Sequence, residues 1–145
     1  MANTFVTLSS WNKRMMVGEE FALEVKCNKS SQANEKGGYS INFQQSKDQK
    51  DGIIFHFNPR AESSQVVLNT LANNKAWGTE TNILDDNVGM IHYASSFKLK
   101  VKPITETKVH VYVNDKFKTE YECQGKKITD TEYLIFSPYV SIHPL

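Results

Sequence analysis

Ile53-Ile54-Phe55-His56-Phe57-Asn58-Pro59-Arg60 reads as an extended strand with one apolar and one polar side. Successive side chains of an extended chain point to opposite faces, so Phe55 and Phe57 enter a core while His56, Asn58 and Arg60 line up on the other side. The outward row is an imidazole, an amide and a guanidinium. Together they offer several donors and two kinds of acceptor along one short line, which suits a ligand dense in hydroxyl groups. Pro59 lacks a backbone N–H, so the strand is expected to end or bulge there.

The same period of two runs outward in both directions, and no window carries a helical period with proper caps. Phe21, Leu23, Val25 and Cys27 alternate with Ala22, Glu24 and Lys26 after a turn at Gly18. Tyr39, Ile41 and Phe43 alternate with Ser40 and Asn42, and Val66 to Thr70 follows the central stretch. Asn73-Asn74-Lys75 marks a turn. A loop at Asp85 to Gly89 precedes Met90 to Tyr93; Phe97, Leu99 and Val101 then alternate with Lys98, Lys100 and Lys102, closed by Pro103. The lysine row reads as a solvated strand face that guards a sheet edge. Val109, Val111 and Val113 lead to a hairpin turn at Asn114-Asp115, and Phe117, Thr119 and Tyr121 run back. Tyr133 to Phe136 and Tyr139 to Ile142 complete about eleven short strands, the pattern of an all-β, two-sheet antiparallel β-sandwich.

Bulk properties narrow the function classes. The 145 residues, with 39% hydrophobic and 11% aromatic content, suffice for one core, so residues 1–145 read as a single domain. Seventeen basic residues against sixteen acidic ones give a formal charge of +1, which supplies no field for nucleic acid or an anionic membrane. The opening Met1 to Leu8 lacks a basic region, an apolar run and a cleavage site, and no later stretch could span a bilayer. Synthesis in the cytosol without a signal peptide, and no membrane insertion, are therefore expected. Asn28-Lys29-Ser30 is a glycosylation sequon that such a chain would leave unused. Cys27 and Cys123 stand far apart and outside any CxxC pattern, so they read as free structural thiols. His92, His110 and His143 have no metal-ligand spacing, and Asp85-Asp86-Asn87 lacks the order of a calcium loop. No metal or cofactor is expected.

Three pieces complete the polar row. Alternation in Val66-Val67-Leu68-Asn69 points Val66 and Leu68 inward and Asn69 outward, on a strand that neighbours the central one through a short hairpin. Trp77-Gly78 sets an indole beside a residue with no side chain to obstruct it. Glu80 can accept from hydroxyls and pair with Arg60. Singly, each has a plainer reading: His56 as a satisfied structural histidine, Trp77 as edge packing, Asn69 bonded to a turn, Glu80 as a solvated charge. Trp11 reads as structural.

Together, His56-Phe57-Asn58-Pro59-Arg60, Val67-Leu68-Asn69-Thr70 and Trp77-Gly78-Thr79-Glu80 resemble the galectin family closely, in the family's order and with similar spacing. Val111-Tyr112-Val113-Asn114-Asp115 is similar to the family's later Val-x-Val-Asn-Gly hairpin, with Asp115 in place of glycine. Three motifs in register between His56 and Glu80 make a specific signal, and the resemblance covers essentially the whole chain as one jelly-roll, concanavalin-like recognition domain. It implies a non-catalytic lectin for β-galactosides of the lactose or N-acetyllactosamine type on glycoproteins and glycolipids. His56, Asn58 and Arg60 would surround galactose's axial hydroxyl, Asn69 and Glu80 would bind its primary hydroxyl, and Trp77 would stack on its C–H face. One departure stands out: galectins commonly carry arginine two positions beyond this glutamate, where the chain has Asn82. The segment after Arg60 is also shorter than in many relatives. Asn82, Lys75 and Glu62 are therefore candidates for an altered subsite for the second sugar, with Lys75 a candidate to replace the missing charge.

Two other function classes stay open at this stage. A glycoside hydrolase on a related sandwich needs two facing carboxyl groups, and only Glu80 sits in the patch, with Glu62 as an unsupported partner. A galectin-like module that binds protein instead of sugar is the other alternative. The resemblance to one-domain galectins further implies a homo-oligomer, a dimer or tetramer, pairing through strands near Val6 to Leu8 and Val140 to Ile142, and export by a non-classical route.

Overall fold

The computed structural model of the chain describes residues 3–28, 37–84 and 96–145, with the side chains of Glu62 and Leu84 left aside. The sequence readings at Asp85 to Tyr93, including His92, and most of the sequon lie outside the described residues. The described residues form two antiparallel sheets. The first is ordered β1 (Thr4–Thr7), β10 (Tyr133–Phe136), β3 (Ile41–Gln44), β4 (Ile53–Arg60), β5 (Gln65–Leu71) and β6 (Thr81–Leu84). The second is ordered β11 (Val140–Pro144), β2 (Phe21–Cys27), β7 (Phe97–Pro103), β8 (Lys108–Val113) and β9 (Lys116–Glu122). The fold is an all-β sandwich of the jelly-roll type, with single 3-10 turns and no α-helix among the described residues.

Alternating side chains of both sheets fill the space between them. Phe43, Phe55 and Phe57 come from the first sheet; Phe21, Phe97 and Tyr121 come from the second and meet them. Phe43 and Tyr121 each lie 5.3 Å, centroid to centroid, from Phe55, and Phe21 lies 6.1 Å from Phe43, all in the tilted or edge-on packing that ring quadrupoles favour. Trp11 packs against the rim of this core.

Two strands depart from simple alternation, and each departure has a register cause. Along β4, Ile53 pairs with Leu71 but His56 pairs with Asn69, so three steps on β4 match two on β5. The bulge accommodates the apolar pair Ile53-Ile54, both buried, and resets the phase that sends His56, Asn58 and Arg60 to the outer face. Pro59 makes no bulge; it pairs in register with Val66 one residue before the strand ends. Along β9, Thr119 pairs with Val111 but Phe117 pairs with Tyr112. The extra residue turns Phe117 outward, where it is 55% exposed, instead of placing it in one face with Tyr121.

The lysine row of β7 is a second correction. That strand is the centre of its sheet, flanked by β2 and β8, so its charges guard no edge. They are partly neutralised instead: Lys100 lies 3.2 Å from Glu20 and its ammonium sits 4.6 Å over the Tyr112 ring, while Lys98 lies 2.8 Å from Asp115. Asn114 and Asp115 both have positive φ, 51° and 65°, as a two-residue hairpin turn requires. Strand β6, which the alternation did not reveal, pairs antiparallel with β5 and, among the described residues, forms the edge of the sheet beside the polar row.

Candidate functional site

Direct cross-strand partners share a face. Asn42, His56 and Asn69 form one row across β3, β4 and β5, while Asn58, Val67 and Asn82 form the next across β4, β5 and β6. The connection after β5 then brings Trp77 to Glu80 over the first row: the Gly78 amide donates to Thr70 O at 3.0 Å, and Trp77 bridges to Leu71. The result is a shallow depression of about 280 Å³ lined by His56, Arg60, Val67, Asn69, Trp77, Gly78 and Glu80.

Each polar group arrives partly saturated, and what remains defines the site's chemistry. Asn58 is only 3% exposed. Its Nδ2 donates to Gly37 O and Tyr39 O, both at 2.7 Å, and its Oδ1 accepts from Arg60 Nε at 2.8 Å. Both amide hydrogens are spent, so Asn58 can meet a ligand only as an acceptor, which narrows the donor-or-acceptor role open to it from sequence. Arg60 Nη2 lies 3.9 Å from Glu80 Oε2. At this exposure the pair adds about 0–1 kcal/mol to stability; its use is to aim two long side chains at the same space.

His56 Nδ1 donates to Asn42 Oδ1 at 2.6 Å, which leaves Nε2 as an acceptor. Loss of hydration, reinforced by the Arg60 charge, holds the imidazole down at about 4, so it is neutral at pH 7. Its ring also lies 4.9 Å from that of Trp77 at 51°. Asn69, 4% exposed, donates from Nδ2 to Gly78 O at 3.1 Å, and its Oδ1 accepts from Thr70 N at 2.8 Å. One Asn69 N–H stays free for a ligand. Trp77 is 50% exposed, so an indole face is presented to solvent at the side of the depression.

Of the six residues expected from the sequence to form the sugar site, His56, Arg60, Asn69, Trp77 and Glu80 line the depression, whereas Asn58 is buried, does not line it and is joined to it through its bond to Arg60. The second-subsite candidates divide: Asn82 is exposed beside Val67, Lys75 lies in the turn after β5 and does not line the depression, and the Glu62 side chain lies outside the described residues. Three contributors were missed. Asn42 was legible in principle, as the outward residue of a strand paired with β4. Val67, apolar yet on the outer face, floors the depression. Gln124 carried no signal, because it comes from the turn after β9, a strand of the other sheet.

Among the described residues no group of three metal-ligating side chains assembles. By sequence, no curated protein shows significant similarity to the chain. Solved structures share its architecture. A galectin of Caenorhabditis elegans, LEC-6, superposes with a TM-score of 0.72 at 14% identity, covering 99% of this chain and 89% of that one. Sheep galectin-11 in complex with glycerol gives 0.67 at 18%, covering 100% and 98%. A variant of human galectin-16 gives 0.73 at 16%, covering 100% and 97%. At these identities the likeness establishes the fold. The family model for galactoside-binding lectins goes further, matching residues 7–143, all but the two ends. The chain therefore belongs to the galactoside-binding lectins, the galectin family, and is a non-catalytic carbohydrate-binding protein.

Proposed function

We propose that the depression binds the β-galactoside end of glycans, of the lactose or N-acetyllactosamine type, on glycoproteins and glycolipids. The carrying observation is the complementarity of what the side chains have left to offer. His56 Nε2 remains as an acceptor and Arg60 as a donor, both lining the depression from one strand, with Asn58 Oδ1 holding the Arg60 guanidinium in place. An axial hydroxyl has one hydrogen to give and lone pairs to receive, so it fits between them. Its epimer would leave buried partners unsatisfied at about 1–3 kcal/mol each. The free Asn69 N–H and the Glu80 carboxylate suit the neighbouring primary hydroxyl, and the Trp77 face suits the sugar's C–H surface.

The adjacent subsite differs from the family pattern. Asn82 offers a neutral amide where arginine is common, and Lys75 stands away from the depression, so recognition of the second sugar rests on weaker polar contacts. Cross-linking of glycans follows from self-association. Strands β1 and β11 end the two sheets and can pair with a second copy. Synthesis in the cytosol with export by a non-classical route completes the proposal.

Isothermal titration with lactose tests it, with Trp77→Ala and Arg60→Ala as controls. Saturable heat in the wild type that disappears in both variants is expected. Heat at the dilution baseline from folded wild-type protein would overturn the lactose reading.

A further inference from the structure

Gln124 belongs to no motif. It sits in the turn after β9 with a φ of 46°, and its side chain reaches across the end of the sandwich to the Trp77–Glu80 segment. Oε1 accepts from Thr79 N at 2.9 Å, and Nε2 donates to Thr79 O at 3.0 Å, so the amide grips both polar groups of one residue as a neighbouring strand would. The same Nε2 lies 3.0 Å from Tyr121 Oη and 3.4 Å from Asn69 Oδ1. A Cβ added to Gly78 would collide with this amide; the glycine makes room for Gln124 as well as for a ligand. Behind Gln124 the contacts run into the core: Tyr121 Oη lies 2.6 Å from Thr70 Oγ1, which donates to Ile54 O at 2.9 Å.

We infer that Gln124 is a positioning residue for the sugar site. It holds the segment carrying Trp77 and Glu80 down on β5, and it sets which way the Asn69 amide faces. With donors from Gln124 and Thr70 both directed at Asn69 Oδ1, Nδ2 is turned toward Gly78 O and the depression. The inference rests on the galactoside reading for its ligand, but the placement of the side chains does not.

Gln124→Glu separates positioning from mere support. A carboxylate still accepts from Thr79 N but sets a second acceptor against Thr79 O and Asn69 Oδ1, where the amide donated. Protonation restores one donor. Acceptors facing the carboxyl raise its pKa above the ordinary value of about 4.3. The nearby titratable groups are Glu80, which faces Arg60, and Tyr121, raised to about 12. Lys126 on the same turn is engaged with Asp51 O and Asn73 Oδ1.

The experiment is lactose calorimetry from pH 8 to pH 5 on wild type, Gln124→Glu and Gln124→Ala. It is paired with ¹⁵N spectra of the Trp77 indole and Asn69 side-chain amide taken without sugar. At pH 8 both variants are expected to bind about 10-fold more weakly or worse, from one bond lost or reversed. Acidification toward pH 5 brings Gln124→Glu closer to wild type and leaves Gln124→Ala unchanged, and both ¹⁵N signals shift in the variants. Wild-type affinity in both variants with unmoved signals would overturn the inference, as would a loss in Gln124→Glu that acid does not recover. If wild type itself does not bind lactose, the galactoside reading fails, and the sugar-free signals decide: shifted signals support the role of Gln124, unmoved ones overturn it.

Discussion

Acidification should weaken the fold through His56, by an amount that follows from its burial and the Arg60 charge. The imidazole ordinarily titrates near 6.5 and is held here at about 4, first by burial and then by the Arg60 charge. The unfolded chain therefore takes up a proton between those values that the folded chain refuses. Stability is fully present above pH 6.5, falls as the pH drops toward 4, and has no further His56 dependence below that. Two and a half pH units at about 1.4 kcal/mol each come to roughly 3 kcal/mol, a large part of a small domain's stability. The assay is urea denaturation at half-unit steps from pH 7.5 to pH 4 on wild type and His56→Gln. Subtracting the two removes the titrations they share, and glutamine can still donate to Asn42. A difference curve flat across this window would refute the reasoning, because it would mean that His56 gains its proton as easily in the fold as outside it.

Two further outcomes follow from packing. Gly38 has a φ of 60°, and a Cβ there would collide with Pro59 O; Gly38→Ala should cost about 1–3 kcal/mol in denaturant unfolding and weaken lactose binding, since the flanking Gly37 and Tyr39 carbonyls hold Asn58. Unchanged binding would show that Asn58 does not depend on that turn. Burial, with a smaller contribution from Glu122, raises the Cys123 thiol to about 12. At pH 8 only about one in ten thousand is thiolate, so a disulfide reagent should modify it only as fast as the fold opens. Rapid labelling of folded protein at Cys123 would contradict its burial.

The strands were legible where three or more inward residues repeated, as in Phe21-Leu23-Val25-Cys27. Thr81–Leu84 escaped because a polar pair, Thr81-Asn82, followed by an apolar pair, Ile83-Leu84, shows no alternation. The two bulges escaped for a different reason: an extra residue in one strand is defined by its partner's register, and a single strand does not contain that information. Phe117 shows the effect, since its own neighbours suggest a phase that pairing with Tyr112 reverses. At the site, the residue types and spacings on β4 and β5 disclosed side chains that line the depression, while their hydrogen-bond saturation depended on Gly37, Tyr39 and Asn42. Gln124 lies furthest from view, 44 residues past Glu80 in the chain and in the turn after β9, a strand of the other sheet.

The saturation of Asn58 has a thermodynamic consequence. A side chain held by two carbonyls and a guanidinium gave up its rotamers when the chain folded, as did His56 against Asn42 and Asn69 against Gly78. Ordering a free side chain on binding costs about 0.5–1.5 kcal/mol, and a sugar arriving here incurs little of it. Modest affinity would then reflect the small area of contact, not the cost of stiffening the receptor. On the proposed galactoside reading, selectivity and folding become one cooperative property: any condition that loosens Gly37, Tyr39 or Asn42 would blur the distinction between epimers before the site itself is lost.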